Sequence, residues 1–302
     1  MKKKRDIVEI FGFSPTDLSL SVRSYWKTNL CPFINGTCTK INHDQTIVYG
    51  TCSVTSPYGD VIICPNRLYA NGYKVIKDVA VDAFGDLPFY FYEQYAERRI
   101  EDDEWVVALG QNSGKEVQIG RSLSMDWVLV KMSKRGILEY TGIEVQSIDI
   151  TGNYREAWQF YKNLKPDDDL DNRPSSNHGL NWANVHKRLI PQIIRKGVVY
   201  FRSKLVKRGI YFIVPEIVYR KFEDVVGNDI PSLEKNEGDC LTVMTFGLGK
   251  SKNENGQKDI VLKRKIRFSL DDFANRFISG PNLPSGEELD NAVKSKLGLD
   301  LR

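Results

Sequence analysis

The sequence predicts an α/β fold with a small β-rich region at its N-terminal end. Three observations lead there. Four of the five cysteines, Cys31, Cys38, Cys52 and Cys64, sit among short strand-like pieces broken by Pro and Gly. Strand candidates follow at 105–110, 127–131 and 137–150. A long helical pattern over 182–206 then leads into another strand at 210–214, so strands and helices alternate along the chain. With 302 residues, 41% of them hydrophobic and 11% aromatic, the chain can bury one large core or two modest ones. A boundary is expected near residue 80, between a β-rich cysteine region (1–80) and a core with C-terminal strands and a helix (81–302).

Residues 6–75 read as short strands with the cysteines at the breaks. Pro57-Tyr58-Gly59-Asp60 is a turn between strands at 46–54 and 61–64. Residues 85–105 read as helical, because Phe91, Tyr95, Ile100 and Trp105 recur near helical spacing. Ser133-Lys134-Arg135-Gly136 turns the chain between the strands at 127–131 and 137–150. A short helical pattern covers 154–164, and a polar loop with Asp167, Asp168 and Asp169 at its centre follows. In the 182–206 pattern Val185, Leu189, Ile193, Tyr200 and Leu205 share one side, and Pro191 marks a kink or a first turn. Gly209 ends it. Strands at 241–246 and 259–268 flank a Gly/Asn/Lys-rich loop and read as an antiparallel hairpin. The sequence contains no internal repeat.

Forty-three basic against thirty-nine acidic side chains leave a net charge of +4. Any nucleic-acid surface must therefore come from local clustering of Lys and Arg. Residues 7–13 are too short for the apolar part of a signal peptide and are interrupted by Glu9. No apolar run is long enough to span a bilayer. These features point to the cytoplasm, where thiols stay reduced and clustered cysteines favour metal over disulfides.

Metal-dependent hydrolysis of a phosphodiester needs close carboxylates around a hard cation such as Mg2+. Asp126 opens one predicted strand and Glu144 lies within the next, so a hairpin would bring them side by side. Period-two geometry puts Glu144 and Gln146 on one face. PD-(D/E)XK nucleases use an Asp followed by Glu-X-Lys in this arrangement. Gln146 stands in the lysine position; it carries no charge but can orient an attacking water. The bland reading is that such carboxylates are ordinary surface residues. Glu139 and Asp149 are decoys or accessories, and a regular strand turns Asp149 away from Gln146.

Six, thirteen and eleven residues separate the four N-terminal cysteines. These are not the tight knuckles of common zinc modules. Four thiolates at the turns of a β-rich region nevertheless suit tetrahedral zinc or iron, against four buried free thiols as the plain alternative. His43 could replace one thiolate, although Asn42 and Asp44 suggest a solvated turn. Cys240 reads as an ordinary core residue.

In these residues the chain resembles the NotI-type restriction endonucleases. The matching text is Cys31-Pro32-Phe33, Cys38, Gly50-Thr51-Cys52-Ser53-Val54 and Cys64-Pro65-Asn66-Arg67. It continues in order with Asp126-Trp127, Glu144-Val145-Gln146-Ser147-Ile148-Asp149, Gly152-Asn153-Tyr154, Asn184-Val185-His186-Lys187-Arg188 with Gln192, and Phe212-Ile213-Val214-Pro215. The likeness covers nearly the whole chain and is strongest over 31–67, 123–154 and 181–215. It implies a PD-(D/E)XK restriction-endonuclease-like core with an N-terminal metal-binding region, cutting double-stranded DNA at a specific site. Asp126 and Glu144 would ligate magnesium with the Val145 carbonyl, and Gln146 would position water. Cys31, Cys38, Cys52 and Cys64 would hold a structural metal, iron or zinc. A homodimer and a cognate DNA methyltransferase as genetic partner are implied with it.

Lys187-Arg188, Arg195-Lys196, Lys204 with Lys207-Arg208, and Lys263-Arg264-Lys265 are candidates for neutralising phosphates, or are solvated faces. Asn35, Asn66 and Arg67 are candidates for base edges by chemistry alone. Two competing readings remain: a structure-specific or repair nuclease of the same superfamily, and a non-catalytic metal-knotted DNA-binding protein. His178 and His186 have no partner pattern that suggests nucleophilic catalysis.

Overall fold

The computed structural model describes residues 5–34, 36–42, 44–110, 116–119, 123–280 and 283–298. Three strands, β1 (Ile7–Ile10), β2 (Thr51–Ser56) and β3 (Gly59–Ile62), form a small antiparallel sheet in the order β1-β2-β3. Helix α1 (Leu20–Thr28) and a two-residue strand pair, Leu30–Cys31 with Gly36–Thr37, fill the connection between β1 and β2.

Seven strands make the main sheet: β4 (Phe89–Phe91), β5 (Glu104–Gly110), β6 (Trp127–Ser133), β7 (Gly136–Val145), β8 (Ile210–Pro215), β9 (Cys240–Lys252) and β10 (Lys258–Ser269). Their spatial order is β10-β9-β8-β7-β6-β5-β4. β6 runs antiparallel to its neighbours β5 and β7; β8 lies parallel to β7, and β9 parallel to β8. The architecture is mixed α/β.

β8 is buried along its whole length, which explains its uninterrupted apolar sequence: a strand covered on both faces has no polar side to alternate with. Phe212 stacks on Phe222 of α5 (Glu216–Val226). Its neighbour Tyr211 points the other way and donates its hydroxyl to Asp82 of α2 (Ala70–Phe84). Helices α4 (Ile190–Tyr200), α5 and α6 (Leu270–Ser279) pack on one another and on β8 to β10. Helix α3 (Arg155–Asn163) joins the small sheet: Trp158 donates to the Tyr49 carbonyl and Tyr161 to Asp6. The buried residues of the small and main sheets form one continuous core. No helix among the described residues is long and apolar enough to cross a membrane.

The strands expected at 46–54 and 61–64 lie at Thr51–Ser56 and Gly59–Ile62, and the structure departs further from the sequence expectation in three places. The helix expected over 85–105 lies instead at Ala70–Phe84, and the expected segment holds β4, the short helix Tyr92–Glu97 and the start of β5. Asn71, Gly72 and Tyr73 adopt left-handed φ angles of 56°, 65° and 61° at the start of α2, which interrupts the helical register there. The strand expected over 137–150 ends at Val145, because Ile150 and Thr151 pair with Leu180 and Gly179. The long helix of 182–206 is divided. A π-helical turn at Val185–Leu189 precedes α4, which ends at Tyr200. Pro191 has no N–H to give the carbonyl one turn back, so the register widens there. Gly209, at φ 68°, is required by space: a Cβ would lie 1.9 Å from the Cys240 carbonyl oxygen.

Candidate active site

Asp126 immediately precedes β6, and Glu144 is the penultimate residue of β7. Trp127 pairs with Ile143, so the two carboxylates fall at the same edge of the sheet. Asp126 Oδ2 accepts the Val145 N–H at 2.7 Å, fixing the aspartate to the neighbouring strand. Gln146 donates its Nε2 to Glu144 Oε1 at 2.9 Å, so both lie on one face, as period two requires. The backbone of Gln146 is held in turn by the Ile213 carbonyl of β8.

A fourth group completes the cluster. Lys196 of α4 is buried, and its Nζ donates to Glu144 Oε2 at 2.5 Å. Sequence reasoning placed Lys196 with Arg195 among phosphate contacts; the structure corrects this, because the ammonium is turned inward onto a carboxylate. A signal was present. Lys196 lies three residues after Ile193 and four before Tyr200, on the apolar stripe of the helix.

Burial pushes the Asp126 carboxyl above its ordinary pKa; Glu116 adds to the rise, and the Val145 N–H and Lys196 oppose it. Burial and then the Asp126 charge push Glu144 up to about 7, against Lys196 and Gln146. Two adjacent carboxyls that resist joint ionisation are stabilised by a cation between them, and hard oxygen ligands of this kind fit magnesium. The donor chemistry therefore suits the cation that the sequence suggested.

Asp126 opens onto a cleft of about 350 Å3, and Glu144 lies buried behind Val145 and Gln146 of its wall. Asp126, Val145 and Gln146 form one wall; Thr39, Pro65, Asn66 and Tyr69, from the cysteine-bearing region, form the other. Trp127 is fully buried behind Asp126. Its Nε1 donates to the Tyr69 hydroxyl at 3.2 Å, and its ring meets Tyr69, Tyr73 and Phe91 at steep angles. The left-handed turn at 71–73 delivers Tyr73 to this cage.

The cysteines are buried and free. Backbone N–H groups of Phe33 and Ile34 bond to Cys31, that of Lys40 to Cys38, and those of Asn66 and Arg67 to Cys64. Burial raises all four thiol pKa values, that of Cys38 to about 11. A charge on Cys64 would raise those of Cys31, Cys38 and Cys52 further, so the four lie within one another's electrostatic reach. Among the described residues, no three His, Cys, Asp or Glu side chains close into a set that could hold a metal ion. Soft thiols are the ligand class of zinc and iron, and the N–H bonds they receive favour the thiolate, but the side chains as placed do not converge on one point. His43 and Asn35 lie outside the described residues.

Arg67 requires a correction. It is fully buried, gives Nε and NH2 to the two carboxylate oxygens of Glu9 at 3.0 and 2.9 Å, and packs over the Phe33 ring. It cannot reach a base edge. Asn66 is half-buried at the cleft, with its Nδ2 3.3 Å from Thr39 Oγ1. Lys187, Arg188, Arg195, Lys204, Lys207 and Lys263 are exposed. Other basic candidates are paired with acids: Arg264 with Glu216 and Glu223, Lys265 with Asp82, and Arg208 with Glu139. Asp149 accepts from Asn184, and Asp167 to Asp169 are exposed. His178 is a core residue whose Nδ1 meets the buried Ser176 hydroxyl and whose Nε2 donates to the Thr55 carbonyl.

No family model matches the chain, and no curated protein matches it.

Proposed function

We propose that the chain is a magnesium-dependent type II restriction endonuclease of the PD-(D/E)XK kind, cutting double-stranded DNA at a fixed sequence. The observation that carries this reading is the meeting of Asp126 and Glu144 at one edge of the sheet, with Gln146 and Lys196 on Glu144, beside a cleft. The mixed sheet, with β6 antiparallel to β5 and β7 and with β8 parallel to β7 and flanked by helices, supports an α/β nuclease core.

In this reading Asp126 and Glu144 hold magnesium together with the Val145 carbonyl. A bound magnesium ion supplies charge neutralisation and an acidified water. Lys196 fixes one oxygen of Glu144 and Gln146 the other, so the carboxylate cannot rotate away. The Gln146 amide orients the attacking water, which the missing lysine would otherwise help to deprotonate. The four cysteines hold a structural zinc or iron, which braces the wall of the cleft that carries Asn66. The protein acts as a two-fold dimer in the cytoplasm, one active site per strand, alongside a cognate methyltransferase.

The test is digestion of large unmethylated DNA by the purified protein with magnesium, beside Glu144→Ala. Discrete fragments from the wild type alone are expected. Intact DNA from both proteins overturns the reading.

A further inference from the structure

A second groove, of about 520 Å3, lies between β3, the start of α5 and the β9–β10 hairpin. Arg220, Lys250, Lys258 and Lys263 line it, against two carboxylates, Asp60 and Glu216. Both acids are engaged: Asp60 lies 3.6 Å from Lys258 Nζ, and Glu216 takes Arg220, Arg264 and the Thr245 hydroxyl. Cations therefore outnumber acids by two, and Lys250 and Lys263 are exposed. Gly247 leaves room for Lys263 to lie across the strand, since a Cβ there would come within 3.0 Å of its Cε.

The position of the groove relative to the candidate active site is fixed by the sheet. β7, β8 and β9 are mutually parallel, so Gln146, Pro215 and Phe246 lie near one level, where β7 and β8 end and β9 runs on to Lys252. Two strand spacings, about 10 Å, separate β7 from β9. One stretch of chain links the sites: Gly59–Ile62 lines the basic groove, and Pro65 and Asn66 line the catalytic cleft. The lateral offset of about 10 Å between the two strands corresponds to about three base pairs along a duplex.

We propose that this groove carries the sugar-phosphate backbone of duplex DNA flanking the cut, an inference that rests on the nuclease reading. Its ligand class is the phosphodiester oxyanion, bound through charge and without base reading. Lys250 and Lys263 are the principal contacts, and Arg220 and Lys258 strengthen the field.

The test uses full-length protein, a labelled duplex longer than both grooves, and no divalent cation, so that binding is read without cutting. Affinity is measured by fluorescence anisotropy from about 50 to about 200 mM salt. Lys250→Gln/Lys263→Gln should make the affinity about tenfold less sensitive to that fourfold rise in salt, as expected for two lost phosphate contacts. The control, Lys294→Gln/Lys296→Gln, removes two exposed charges from the C-terminal helix and should leave the slope at the wild-type value. Wild type that binds with a slope unchanged by the groove variant, or changed equally by the control, overturns the groove alone. Wild type that binds no duplex overturns the nuclease reading and the groove with it.

Discussion

The ammonium of Lys196 and the carboxylate of Glu144 meet at 2.5 Å inside the fold, with only 6% and 2% of their side chains exposed. Burying two charges costs several kcal/mol per ion, and a well-packed apolar pair often serves stability as well or better. The pair sits where β7 meets Asp126 and Gln146, so its value is better sought in the site than in the fold.

Removing one partner should expose that imbalance. Lys196→Met leaves Glu144 buried without its cation and is expected to cost about 3 kcal/mol of unfolding free energy. Lys196→Met/Glu144→Leu should regain most of this while lacking DNA cleavage. Urea unfolding of the three proteins decides the matter: a double variant as unstable as the single one would mean the pair is a net stabiliser.

Arg67 and Glu9 make the opposite kind of prediction. Their bidentate pair ties the 3-10 turn at Pro65–Tyr69 to β1, and both side chains are almost wholly buried. Arg67→Ala should destabilise by about 3–5 kcal/mol because Glu9 loses its partner. A surface DNA-contacting arginine would cost within about 0.5 kcal/mol on replacement. Denaturant midpoints separate the two roles before any DNA is added.

Lys196 and Arg67 mark where the sequence alone misleads. Strands at 105–110, 127–131 and 210–214 were legible because continuous apolar runs mark buried strands, and the β9–β10 hairpin was marked by its polar Gly/Asn loop. The convergence of Asp126, Glu144 and Gln146 followed from strand period and turn position. Lys196 and Arg67 were misread because a cation carries the same letter whether solvated or buried; only its position on an apolar stripe or within a buried run distinguishes them. Helix α2 did carry a local pattern, with Asn71-Gly72 favouring the left-handed turn and Val75, Ile76, Val79, Ala80 and Ala83 at helical spacing after it; the expectation of a helix over 85–105 missed both.

His178 should give the fold a pH dependence of known sign. Burial lowers its pKa below the ordinary 6.5; Arg5 lowers it further, while the Thr55 carbonyl and Asp6 raise it. Once the pH falls below 6.5, the unfolded chain takes up a proton that the folded chain refuses, so stability falls as the solution becomes more acidic. The slope from this group is at most about 1.4 kcal/mol per pH unit. Melting curves between pH 7.5 and 5.5 should be flatter for His178→Gln than for wild type. Equal slopes would show that His178 titrates alike in both states.

The cysteines yield a prediction about composition as well as stability. Without a cation, burial keeps the four thiols protonated at neutral pH, and Cys64 is the one whose charge acts on each of the other three. A thiophilic metal reverses this by taking the thiolates, and the backbone N–H bonds to Cys31, Cys38 and Cys64 then favour the ionised form. Elemental analysis of the purified protein should find zinc or iron near one per chain, and Cys64→Ser should lose it and melt at lower temperature. Because Pro65 and Asn66 follow Cys64 directly into the cleft wall, the same variant should also weaken binding of duplex DNA. Cys240→Ser is the matched control: its buried thiol lies beside Thr242, 3.7 Å from that hydroxyl, and should leave the metal content unchanged. A wild-type protein free of metal, with a melting temperature indifferent to added zinc, would leave the four thiols as core residues and remove the brace from that side of the cleft.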